Sequence, residues 1–164
     1  MQVDVSRRYT IPYPGGVGEA IAFLRDVERS LGRVPFIRNL RVSGDTVRAD
    51  LAVDVPFLGQ QLLDFESRLE PHERGARLVA TPRDGKAWAT IAGDGTVSPA
   101  PNGSVIEYVL EISVFVALPA SEKWGGKAFE KMAQATAEKA IERMTLEFPR
   151  GVAAAAQGKG LEGL

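Results

Sequence analysis

The chain has no cysteine and a single histidine, His72. Disulfides, thiolate nucleophiles and cysteine-based metal sites are therefore excluded. One histidine, with nothing resembling a His-x-x-x-His pair, cannot build the usual zinc site. Lack of cysteine does not by itself decide a compartment. No apolar run approaches the roughly 18 residues that a membrane-spanning helix needs. Charge of one sign is missing too. Lys and Arg number 20 against 21 Asp and Glu, a net charge of -1, so no overall field draws nucleic acid or an anionic membrane. Residues 1–6 enter a strand pattern at once, without the charged and apolar regions of a secretory leader, and the expected location is the cytoplasm.

What is present is ordinary globular material: 164 residues, 45% hydrophobic and 25% charged. That is enough for one domain with a real core. Val3, Val5, Arg7 and Tyr9 alternate with polar neighbours and predict a first strand, closed by Pro12 and Pro14-Gly15-Gly16. Val17, Ala20, Ile21, Leu24, Val27 and Leu31 recur at helical spacing until Gly32 and Pro35. From 36 to 117 the pattern is short alternating strands broken by turns. Val47, Ala49, Leu51, Val53 and Val55 share one face; Ile106, Tyr108, Leu110, Ile112, Val114 and Val116 share another. Asp84-Gly85 signals a hairpin, and Gly93-Asp94-Gly95 a break or bulge. A long amphipathic helix over about 126–148 carries Phe129, Met132, Ala133, Thr136, Ala137, Ala140, Ile141, Met144 and Phe148. The break at Pro149-Arg150-Gly151 leaves residues 151–164 as a weakly ordered tail, adding at most a turn of helix before it frays, beyond a single domain at 1–150.

Turn spacing too short for crossover helices makes the sheet antiparallel between sequence neighbours. The expected fold is α+β: a seven-stranded curved antiparallel sheet wrapped around the C-terminal helix, in the order β-α-β6-α. This order, with the segment Ala22-Phe23-Leu24-Arg25-Asp26 and the 126–148 helix, resembles the START/Bet v1-like (SRPBCC) helix-grip superfamily. The stretch Glu122-Lys123-Trp124-Gly125-Gly126-Lys127 is similar to one in a small bacterial branch of unknown function. Helix-grip proteins often carry a second short helix before the second strand. Only residues 30–36 are available for it here, so it is a single turn or absent. The superfamily includes lipid and hormone binders, aromatase/cyclases and chaperone activators, so the resemblance does not choose a function.

Few residues point to chemistry. Gly15-Gly16-Val17-Gly18 lacks the spacing of a phosphate loop and reads as a tight turn and helix start. His72 reads as a surface turn residue. Asp50 with Asp54, and Glu107 with Glu111, fall opposite the apolar stripes and should face water. Tyr108 shares the core face; its hydroxyl either anchors the polar end of a bound molecule or bonds a backbone group or water. Trp124 either caps a cavity mouth or staples the helix. Trp88 and Phe115 have outward parity, and together would form an apolar patch. Ala133, Ala137 and Ala140 either let the helix dock close or leave room.

The leading expectation is non-catalytic binding of a small hydrophobic or amphipathic molecule between sheet and helix. Its lining would be Leu51, Val53, Phe65, Tyr108, Leu110, Ile112, Trp124, Phe129 and Met132. No cofactor, metal or nucleic acid is expected. The alternative is a protein-interaction module or homodimer with a filled core. A cyclase- or hydrolase-like enzyme is third, because so few ionisable groups point inward.

Overall fold

The computed structural model of the chain describes residues 1–55, 58–118 and 126–158. Seven strands form one antiparallel sheet: β1 Gln2–Tyr13, β2 Ile37–Ser43, β3 Thr46–Val55, β4 Gly59–His72, β5 Gly75–Ala80, β6 Ala87–Ala100 and β7 Gly103–Val116. Their order across the sheet is β1-β7-β6-β5-β4-β3-β2. Consecutive strands from β2 to β7 are neighbours, and β1 closes onto β7 in unbroken register from Gln2↔Phe115 to Tyr13↔Ser104. Alternation decides which face each side chain takes. Val47, Ala49, Leu51, Val53 and Val55 are buried, as are Ile106, Tyr108, Leu110, Ile112, Val114 and Val116. Asp54, Glu107 and Glu111 are exposed on the convex side.

The first predicted helix is two. α1 spans Val17–Arg25 and α2 is one turn, Val27–Ser30. The break falls at Asp26, whose carboxylate accepts the Arg29 backbone N–H at 3.3 Å and so caps α2. The short second helix is thus cut from the end of the predicted one, not built from residues 30–36. α1 lies on β5, β6 and β7.

Two strand readings are corrected. Asp84-Gly85 does not close a two-residue hairpin: β5 stops at Ala80 and a longer connection, with Gly85 at φ +103, leads to β6. Gly93-Asp94-Gly95 is neither break nor bulge, since β6 pairs with β7 in continuous register from Ala87↔Val116 to Ala100↔Gly103. The glycines seat other side chains. A Cβ on Gly93 would come within 2.5 Å of the Tyr108 hydroxyl, and one on Gly95 within 2.8 Å of Leu24 Cδ1. The irregularity lies instead on the edge strand β2, between Arg38 and Arg41, where Asn39 takes φ +57 and its amide donates to Asp50 at 2.6 Å. A kinked, arginine-bearing edge resists pairing with another chain.

The C-terminal helix is also two: α3 Lys127–Thr145 and α4 Glu147–Ala156. α3 rests on the edge strand β1 and on β3, and α4 on β1 and α2. The buried positions of α3 are Phe129, Ala133, Ala137, Ile141 and Thr145, one every fourth residue. That single line is narrower than the predicted stripe, so the flank at i+3 faces outward: Met132 is 52% exposed and Thr136 is exposed. Gln134 Nε2 donates to the Gln2 carbonyl at 2.6 Å, the Tyr9 hydroxyl donates to the Thr145 carbonyl at 2.7 Å, and Arg7 pairs with Glu142 at 3.2 Å.

Residues 151–156 are not a loose tail. They continue α4, with Gly151, Val152, Ala155 and Ala156 buried. Pro149 is tolerated because it is the third residue of that helix, where its missing N–H has no intrahelical partner to lose.

Candidate functional site

Leu51 and Val53 on β3, Phe65 on β4, and Tyr108, Leu110 and Ile112 on β7 share the concave face and are buried. Phe129 is buried on α3. Met132, predicted beside it, points away from the sheet, and Trp124 lies outside the described residues. Leu51 and Ala133 are 0% exposed and Ile112 is 1%. On α3, Ala137 and Ile141 join the main cluster of core side chains with Leu51 and Ile112, whereas Phe129 and Ala133 are buried outside it.

Phe148, at the start of α4, fills one end of the grip. Its ring centroid lies 4.9 Å from Tyr108, 5.3 Å from Tyr9 and 6.5 Å from Phe36. Tyr108 is pinned between Phe148 and the Gly93–Gly95 seat. Burial raises its phenol pKa far above the usual range, and the nearby Asp94 carboxylate raises it further. Its hydroxyl forms no hydrogen bond among the described residues. Tyr108→Phe should therefore leave stability within about 1 kcal/mol of the parent or raise it, as measured by urea unfolding. A larger loss would mean that the hydroxyl has a partner in the folded protein.

Open space lies to one side, between β3 and α3. A cleft of about 260 Å³ has walls of Phe36, Val53, Ile141 and Met144, with Ala140 at its lip and Arg38 and Arg143 on its rim. Only Val53 belongs to the predicted lining. Phe36, Ala140 and Met144 are brought together from segments about a hundred residues apart, and no local pattern joins them. Asp54 and Glu147 complete a rim of mixed charge.

Elsewhere several polar residues are tied into the fold, while Arg83 Nε is buried without a hydrogen-bond partner among the described residues. His72 Nε2 lies 2.9 Å from Asp94 Oδ1, and Arg77 pairs with the other oxygen of that carboxylate at 3.1 Å, so His72 is tied down at the end of β4. Among the described residues no group of His, Asp and Glu could hold a metal ion, and no helix is long and apolar enough to cross a membrane. Trp88 and Phe115 stack at 5.7 Å on the convex face, half-buried.

This architecture is the START/Bet v1-like helix-grip fold. It is shared with the Zhui aromatase/cyclase of Streptomyces sp. R1128, at a TM-score of 0.57 and 14% identity over 96% of this chain and 94% of that one. TTHA0849 of Thermus thermophilus matches at a TM-score of 0.54 and 16% identity over 93% and 99%. A conserved protein of Geobacillus kaustophilus matches at 0.53 and 15% over 93% and 97%. At such identities the likeness is one of fold. The chain belongs to the family described as protein of unknown function (DUF3809), whose model matches residues 8–146. Among curated proteins none matches.

Proposed function

We propose that the protein binds a small apolar or amphipathic molecule, without transforming it, at the junction of its sheet and C-terminal helices. The observation that carries this reading is the cleft between β3 and α3: apolar walls at Phe36, Val53, Ile141 and Met144 under a rim with charges of both signs. Such a lining suits a greasy body with a polar end. α3 favours admission, because it meets the sheet along one narrow line that includes two alanines. Binding is preferred over catalysis because the ionisable groups on the concave face are committed or neutral. Arg7 is tied to Glu142, Tyr9 to the Thr145 carbonyl, and Tyr108 is held uncharged by burial. That one structural neighbour is an aromatase/cyclase does not carry its activity over.

Anilinonaphthalene sulfonate titration tests the site. The native protein takes up the dye saturably. Ala140→Trp, which fills the cleft from the half-buried lip, weakens uptake by about tenfold without lowering the melting temperature. Absence of saturable uptake, or equal uptake by the variant, would sink the proposal. Native mass spectrometry of protein from its own cells would then give the mass of the natural ligand.

A protein-interaction module is the second reading, favoured by the half-buried Trp88–Phe115 pair on the outer face. Self-association in sedimentation that Trp88→Ala abolishes, with no dye uptake, would establish it instead.

A further inference from the structure

We infer that β1 is a docking edge for a second copy of this chain: two β1 strands pair antiparallel about a two-fold axis at Ser6 and join the two sheets into one. No residue of β1 lines the cleft beside β3.

β1 and β2 are the two edges of the sheet. β2 breaks register between Arg38 and Arg41. β1 runs for 12 residues without a bulge. The Met1 amine donates to the Val116 carbonyl at 3.0 Å, and the Val116 N–H returns a bond to the Met1 carbonyl at 2.9 Å. Bonded pairs alternate along an antiparallel ladder, so the odd-numbered residues of β1 serve β7 and the even-numbered ones turn their N–H and C=O groups outward. Among the described residues the outward N–H groups of Gln2, Asp4, Ser6, Arg8 and Thr10 have no partner. Two of the carbonyls are engaged, that of Gln2 by Gln134 at 2.6 Å and that of Ser6 by Arg7 at 3.0 Å. Each of those oxygens keeps a second lone pair. Pro12, the next outward position, has no N–H to offer and ends the row. α3 holds β1 from the concave side, through Arg7 and Tyr9, while the side chains of Gln2, Asp4, Ser6, Arg8 and Thr10 are exposed.

Such a row of open groups is a template for another strand, and its charges select the partner. Neither Asp4 nor Arg8 has an ion-pair partner among the described residues; Asp4 meets only the Gln2 amide, at 3.3 Å. With the axis at Ser6, each Asp4 stands directly across from Arg8 of the other copy, and each Gln2 across from Thr10. Opposite charges placed in this way stabilise a strand pair. An axis at Asp4 or Arg8 would oppose like charges, and one at Val5 or Arg7 would match neither charge with its opposite. The edge is therefore complementary to itself in one register. One strand from each copy buries little surface, so the dimer is reversible.

Sedimentation equilibrium of the full chain tests this. The parent should show a concentration-dependent equilibrium of monomer and dimer. Arg8→Asp and Asp4→Arg each set like charges against one another and should weaken the dimer about tenfold; the two together restore opposite pairs and should recover the parent affinity. Ser6→Pro removes an N–H that the folded monomer does not use, and should abolish the dimer while leaving the melting temperature of the dilute protein unchanged. Hydrogen exchange at the Asp4, Arg8 and Thr10 amides should slow as concentration rises, with Val3 and Val5 protected throughout. Trp88→Ala should leave the dimer intact, which separates this edge from the outer-face patch. A monomer at every concentration up to about 1 mM, a dimer indifferent to the charge reversals, or one that Trp88→Ala abolishes would overturn the inference.

Discussion

Replacing Phe148 with alanine lowers the unfolding free energy by about 3–5 kcal/mol, the range for a fully buried aromatic. The side chain is 0% exposed and touches three other aromatic rings, from β1, β7 and the segment before β2. Those strands sit at opposite ends of the chain, and Phe148 is where they meet the last two helices. Removal leaves a void that cannot close by local adjustment. Tyr108 is seated on Gly93 and Gly95, and Tyr9 is held by its bond to Thr145. Urea unfolding reads the loss as a lower midpoint at unchanged slope. A loss below about 1.5 kcal/mol would show that the surroundings collapse into the space and that Phe148 is not the hub described.

Gly151→Ala should cost about 2–3 kcal/mol, although alanine is the better helix former by about 1 kcal/mol. The added methyl would stand 2.7 Å from the Val34 Cα and 2.8 Å from the Arg33 carbonyl oxygen. Both are backbone atoms, so neither can swing aside as a flexible side chain would. α4 must lift off the segment that follows α2, and Val152, Ala155 and Ala156 lose part of their burial with it. Thermal unfolding would show a lower melting temperature. An unchanged or raised one would mean that α4 does not dock on residues 33–34.

These two residues also mark the limit of what the sequence reveals. The strands are legible because one face of each meets a core and period-two alternation records it, most clearly in Val47 to Val55 and Ile106 to Val116. Two glycines and a proline mislead because their meaning depends on distant neighbours. Gly93 looks like a bulge until Tyr108 is laid across it. Gly151 looks like a breaker until Val34 stands against it. Pro149 looks like a stop until the helix is seen to begin two residues before it. Asp26 hides in an apolar periodic run, and only its side-chain bond shows that a new helix starts there. Met132 has the right residue type, but a helix touching along a single line has no inward place for it. The candidate sites are harder to read still. Val53 is visible from strand parity, whereas Phe36 and Met144 become neighbours only through the fold.

The pairing of β1 with β7 has a consequence for synthesis. The Met1 amine donates to the Val116 carbonyl across 115 positions of chain. On the ribosome β1 is made about a hundred residues before its ladder partner β7, with Val3, Val5 and Ile11 unshielded meanwhile. Long-range closure of this kind slows folding and lengthens the interval in which nascent chains can associate. Newly made copies will depend on holding chaperones more than the modest size of the domain suggests.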